Sequence, residues 1–156
     1  AESPITYGEF LEYCRTNVSA ASYELLKELT PASDKGPLIE EWSSFYGALQ
    51  KELNYRRNQN LGKSSTAPDD RDTETGQIVN EAMNAKNPLE AENILLAYEF
   101  EKLDALTGLH AFDDRQLFGY AMKLKLLERR QCFDKERGKA EFKALFDQVQ
   151  QRVYSL

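Results

Sequence analysis

From residue 42 to residue 53, the apolar side chains Trp42, Phe45, Tyr46, Leu49 and Leu53 recur at steps of three, one, three and four. That spacing puts them on one face of an α-helix, with Glu40, Glu41, Lys51 and Arg57 on the other. Phe142, Leu145, Phe146, Val149 and Val153 repeat the rhythm near the end of the chain. Between these two segments, Leu96, Phe100, Leu103 and Leu106 share a helix face, and Glu92, Glu99 and Lys102 are read as lying off it. The helix predicted over 114–133 is apolar on two sides. Leu117, Ala121, Leu124 and Leu127 make one stripe; Phe118, Met122, Leu126 and Phe133 make the other. Such a helix is surrounded by neighbours, which makes it the predicted centre. No segment alternates with the period of two that marks a strand. The expected fold class is all-α, an antiparallel multi-helix bundle of about six to seven helices.

Polar residues punctuate this pattern. Asn87-Pro88-Leu89-Glu90 combines an N-cap, a proline at the first helical position and a glutamate that can close a capping box. Gly108 supplies the stop for that helix. Asp113, with Gln116 three residues on, is the expected cap of the next one. Thr6 with Glu9, and Ser19, open two helices near the N-terminus; the second is predicted to run to Leu29 and end at Thr30-Pro31. Pro37 suits the start of the Trp42 helix, which frays near Asn60 before Gly62. Residues 62–73, GKSSTAPDDRDT, hold no large apolar side chain and read as a flexible loop. A short helix over 74–86 uses Ile78, Val79, Ala82 and Met83, and Asp134 marks the junction to the last helix. The whole chain, 1–156, is expected to form a single helical domain, with N-terminal helices over 1–61 and C-terminal helices over 74–156.

Composition narrows the function classes. A net charge of −6 disfavours a duplex nucleic-acid binder, which must neutralise phosphates, and fits poorly with adsorption to an anionic membrane. No apolar run approaches the roughly 18 residues of a membrane span. The first residues, AESPITYGEF, lack the basic and apolar regions of a secretory signal. The chain opens on Ala1 without an initiating methionine, which implies processing or trimming. Two cysteines, Cys14 and Cys132, sit beside aromatics on helical patterns and read as small buried hydrophobes in a reducing compartment.

Candidate chemistry is sparse. His110 is the only histidine and falls in the turn between the two long helices, without the HxxxH, ExxH or CxxC spacing that a metal site needs. No strained GxSxG turn presents a serine nucleophile. Gly62-Lys63-Ser64 looks like the tail of a phosphate-binding loop, but Arg57 stands where that loop requires its first glycine. Asn17-Val18-Ser19 matches a glycosylation acceptor and reads instead as a helix cap. Glu128 shares a stripe with Leu117, Ala121 and Leu124, so it is expected to be a partly buried carboxylate held by an arginine or by helix-end N–H groups. Arg56-Arg57 and Arg129-Arg130 are the strongest local positive features of an acidic chain. With Lys123 they are the candidate partner interface. No catalytic residue, cofactor or metal is expected.

The stretch from Asn87 to Phe146 resembles a family of uncharacterised bacterial proteins encoded among V/A-type ATPase genes. The pieces that carry the likeness are Asn87-Pro88-Leu89-Glu90-Ala91-Glu92, Leu109-His110, the segment Lys123 to Arg129, and Phe133-Asp134-Lys135-Glu136-Arg137-Gly138. Ile5 to Leu29 and the Trp42 helix ending in Tyr55-Arg56-Arg57-Asn58 are also similar. Where this family's pattern leads one to expect an aromatic after Glu128-Arg129, Arg130 stands instead. Members look like a counterpart of the helical funnel that links the rotor stalk to the membrane ring in rotary V-type ATPases. The resemblance implies a non-catalytic subunit or accessory that couples or assembles the rotor stalk with the membrane sector in ion transport. The implied partners are protein subunits of that machine, with no nucleic acid, no small-molecule substrate and no direct membrane insertion. The implied location is cytoplasmic, held at the inner membrane through protein contacts alone. The rival reading is a stand-alone helical adaptor or regulator that captures a partner helix in a groove.

Overall fold

A computed structural model describes residues 5–68, 71–108 and 114–133, except for the side chains of Cys132 and Phe133. These residues form six α-helices and no strand: α1 (Tyr7–Asn17), α2 (Ala20–Lys27), α3 (Ile39–Asn60), α4 (Thr73–Met83), α5 (Pro88–Thr107) and α6 (Asp114–Phe133). The all-α expectation holds. The Asp113 cap, the His110 turn, Cys132, the apolar side chain of Phe133 and the last predicted helix lie outside the described side chains and residues.

Local chemistry explains most helix starts. Thr6 Oγ1 accepts the N–H of Glu9, Ser19 Oγ that of Ser22, and Asn87 Oδ1 that of Glu90. Each satisfies a donor that has no partner inside its own helix. Glu90 reaches back to the N–H of Lys86 rather than to the cap residue, which ties the preceding turn to α5. Asp72 caps α4 through the N–H and hydroxyl of Thr75, so this helix begins one residue earlier than its apolar pattern indicates. At the other end of α5, Gly108 adopts φ +68° and its N–H closes on Asp104.

Three further boundaries differ from expectation, the first being the end of α4 at Met83 rather than at 86. Helix α2 ends at Lys27 rather than Leu29, because the N–H of Leu29 turns back onto Leu26 in a tighter turn. Helix α3 starts at Ile39, not at Pro37. Gly36 (φ +125°) and Leu38 (φ +68°) bend the chain sharply before it. A left-handed leucine costs roughly 1–2 kcal/mol in backbone strain. The position is offset by burial, since Leu38 sits in the core beside Phe118.

Helix α5 packs on α3, α4 and α6; α6 packs on α5 and α1; α1 packs on α2. The start of α6 meets the end of α5, where Gly119 faces Thr107, and the end of α6 meets the start of α5, where Arg130 meets Asn93. The two helices are therefore antiparallel. Both apolar sides of α6 enter the main core, with Phe118, Ala121, Met122 and Leu126 fully buried against Phe100, Leu103, Trp42 and Phe10. Helix α5 shares that central position, because its other side supplies Leu95 and Tyr98 to a second cluster with Leu49, Leu53, Val79 and Ala82. Phe45 packs against both clusters. Each large side chain buried in this way contributes about 1.5–3 kcal/mol. Trp42 stacks on Tyr46 and donates its indole N–H to Pro31 O at 2.9 Å. No described helix is long and apolar enough to cross a membrane.

Candidate functional site

Among the described residues, charged side chains converge in two main places. The first is the junction of α3 with the segment leading into α4. Glu52 lies beside Leu53 and one turn from Leu49, so the helix carries its carboxylate onto the packed face, where it is only 3% exposed. Arg56, one turn further on, donates from Nε to Oε1 at 3.2 Å. Arg71 reaches in from the segment before α4 and donates from Nε to Oε2 at 3.2 Å and from Nη2 to Oε1 at 2.7 Å. The ring of Tyr55 backs the Arg71 guanidinium at 5.0 Å. Hydrogen bonding from Arg71 is the main cause that holds the Glu52 carboxyl below its usual range, against the opposing effect of burial. The 62–73 segment, expected to be flexible, is thus anchored at its far end.

Two grooves flank this cluster. One, of about 510 Å3, is lined by Arg56, Arg71, Gly76, Gln77 and Asn80. The other, of about 590 Å3, runs along α3 past Ser43, Ser44, Gly47, Lys51 and Thr66 to Arg71.

The second gathering stitches α6 to α5. Lys123 is buried, pairs with Asp104, and lies over the ring of Phe100. Arg129 donates from Nη2 to Glu99 Oε1 at 3.0 Å and from Nη1 to the Tyr46 hydroxyl at 3.0 Å, with Glu92 4.0 Å from Nη2. Arg130 is 2% exposed and donates from Nε to Asn93 Oδ1 at 2.9 Å. At the opposite end of α6, Arg115 forks onto Glu41 of α3 and donates to Leu106 O, one of the last carbonyls of α5. Glu99 is the costly member of this set, being 1% exposed with an Oε2 that has no hydrogen-bond partner among the described residues. Burial pushes its carboxyl up to about 7; Arg129 opposes that shift and the nearby Glu92 adds to it. Burial prevails because the cation satisfies one oxygen and leaves the other dry.

The five cations proposed as an interface are therefore not one surface patch. Lys123 and Arg130 are buried in the helix pair, and Arg129 is half-buried in a bridge to Glu99; they join α6 to α5 instead of facing outward. The physical reason is that α6 is apolar on two sides, so cations between its stripes are enclosed as well and must find partners on α5. Arg56 is part of the Glu52 cluster, and Arg57 alone of the five is exposed without a charged partner among the described residues. Glu128, expected to be held by an arginine or by helix-end N–H groups, is partly exposed and lies 3.6 Å from Lys125 instead. Glu99, read as lying off the apolar face of α5, is instead inside it.

The residues missed were Glu52, Glu99 and Arg71. Spacing held the signal for the first two: Glu52 is seven positions after Phe45, and Glu99 stands between Leu95, Leu96 and Leu103. Nothing local marks Arg71, whose partner lies 19 residues away. Among the described residues, no group of three His, Cys, Asp or Glu side chains is arranged to hold a metal. Cys14 is a free buried thiol, raised above its ordinary pKa by burial.

A family described as a protein of unknown function, DUF2764, matches residues 58–153, a span that contains α4, α5 and α6. No curated protein and no solved structure matches the chain.

Proposed function

The chain belongs to the family of unknown function DUF2764, and we propose that it is a non-catalytic helical subunit or accessory that works by docking to other proteins. The assembly we propose for it is a bacterial V/A-type rotary ATPase, in which it couples or assembles the rotor stalk with the membrane sector. The supporting observation is how the charges between α5 and α6 are used. Lys123, Arg129 and Arg130 are spent on Asp104, Glu99 and Asn93, in contacts that bind one helix to the next. Buried ion pairs add little net stability over an apolar core, yet breaking one is costly, so they fix one register of two helices. A body with two of its long helices locked in register suits transmission of force more than chemistry. The identity of the assembly rests on the likeness of residues 87–146, of Ile5 to Leu29 and of the Trp42 helix to proteins encoded with such ATPases.

The test is purification of the tagged protein from its native membranes, with the co-purifying proteins identified. Recovery of rotary ATPase subunits in fixed ratio is the expected outcome. Recovery of the protein without them, while the ATPase stays intact elsewhere, overturns the assembly assignment. The grooves beside α3 and α4 favour a second reading, a stand-alone adaptor, which then takes its place.

A further inference from the structure

Arg129 stands between two carboxylates of one helix. Glu92 and Glu99 are about two turns apart on α5. Nη2 of Arg129 is 3.0 Å from Glu99 Oε1 and 4.0 Å from Glu92 Oε2. The two seats differ in their surroundings. The Glu99 side chain is 1% exposed and its Oε2 meets no donor, whereas Glu92 is 23% exposed and reaches water. One guanidinium cannot neutralise both. While Glu99 is ionised the trio carries one net negative charge, in its driest place; a single proton on Glu99 leaves Arg129 and Glu92 as a balanced pair. The other titratable group of the cluster is Tyr46 of α3, whose hydroxyl burial raises above its ordinary range, so that it stays a neutral acceptor for Nη1. Helix α4 packs on α5 through Val79 and Ala82 and brings no charge to Glu99.

We propose that this trio is a proton-operated latch between α5 and α6: ionised Glu99 holds Arg129 inside the helix pair, and uptake of one proton by Glu99 passes the guanidinium to Glu92. The step is a protonation with an exchange of hydrogen bonds. Solvent supplies the proton, the Nη2 N–H leaves Glu99 Oε1 for Glu92 Oε2, and Arg129 keeps its charge throughout. The movement is small, since closing the 4.0 Å separation to a hydrogen bond of about 3 Å is enough. A neutral carboxyl attracts the cation far less than an ionised one, so the better-solvated seat wins once Glu99 is protonated. Burial places the Glu99 midpoint at about 7, so the site passes from about nine-tenths protonated near pH 6 to about one-tenth near pH 8. The ties of Lys123 to Asp104 and of Arg130 to Asn93 lie outside the trio, so the register of the helices persists while their joint at Arg129 changes. The latch depends on these side chains alone and operates in the free chain, whichever assembly the protein joins.

The experiment is a pH titration of the isotope-labelled full chain by nuclear magnetic resonance, from about pH 5 to 9. It follows the carboxyl carbon of Glu99 and the proximity of the Arg129 side-chain protons to the methylenes of Glu99 and Glu92. One Glu99 step near neutrality is expected. Between pH 8 and pH 6 the Arg129 contacts with Glu99 should weaken by about twofold or more while those with Glu92 strengthen. Glu99→Gln, neutral and of the same shape, should remove the step and show the Glu92 contacts at every pH. Glu92→Ala takes away the second seat, so the contacts with Glu99 should survive at pH 6 and the Glu99 midpoint should fall, Glu92 being one of the groups that raise it. Unshifted amide signals in α4 check that each variant keeps the fold. If Glu99→Gln does not fold, the unsubstituted chain and Glu92→Ala decide between them. Three results overturn the latch: no Glu99 step in this range, a Glu99 step that the Arg129 contacts do not follow, or the same loss of Glu99 contacts in Glu92→Ala as in the unsubstituted chain.

Discussion

Glu52 and Glu99 are both buried carboxylates on helix faces, yet their protons respond in opposite directions. Glu52 meets three guanidinium N–H groups across its two oxygens and is held ionised below its ordinary range. Glu99 meets one and is pushed from 4.5 up to about 7. The linkage signs follow. Glu99 holds its proton more tightly in the folded chain, so its contribution is fully present below about pH 4.5 and is lost as pH rises toward 7. The shift corresponds to about 3 kcal/mol across that window. Glu52 acts the other way: its contribution is present above the unfolded value and is lost as pH falls through its depressed folded value. Thermal stability should therefore decline between about pH 5 and 8 and decline again in stronger acid. Calorimetry across this range checks the shape. Glu99→Gln should flatten the decline toward neutral pH and leave the acid limb in place, whereas an unchanged neutral limb would reject the assignment to Glu99.

At the scale of elements, the junctions between helices are the sensitive points. Asn87 alone supplies the side-chain cap of α5, the helix that joins both core clusters. Asn87→Ala should cost about 1 kcal/mol in denaturant unfolding. Gly119 is required for a different reason, because a Cβ there would lie 2.7 Å from Thr107 Oγ1 where α6 crosses α5. Gly119→Ala should cost about 1–3 kcal/mol from overpacking. Thr107→Ala removes the obstructing oxygen, so the double variant should recover part of that loss; a strictly additive cycle would show that the contact is not the cause. Gly36 plays a similar part before α3, combining a positive φ with a position where a Cβ would lie 3.0 Å from the Phe118 ring.

Across the whole molecule, the two clusters are joined by Phe45 and by the two faces of α5. Unfolding of the described helices should then be one transition, with Trp42 fluorescence and helix content falling together in urea. Phe100→Ala should lower stability by about 3–5 kcal/mol and shift both signals equally. Separate midpoints would show that the clusters are independent units. The charge distribution belongs to this scale as well. The fold encloses Lys123 and Arg130 within the helix pair and holds Arg56 and Arg71 on Glu52 nearer the surface.

Helix positions were legible in the residues themselves because caps and apolar spacing act within one or two turns. Asn87, Ser19 and Thr6 cap the helices they were expected to cap, and the described members of the stripes of α3, α5 and α6 are buried in the two clusters or packed against them. What sequence left open was the fate of the charges. Lys123, Arg129 and Arg130 read as surface cations until α5 lies against α6 and brings Asp104, Glu99 and Asn93 beside them, 19 to 37 positions away in the chain. Arg71 became part of a site only when its segment folded back onto α3. Backbone hydrogen bonding and capping are local, so the sequence alone determined the helices. Burial of a charge depends on which distant neighbour covers it, and only the packing of α5 between α3, α4 and α6 decided that.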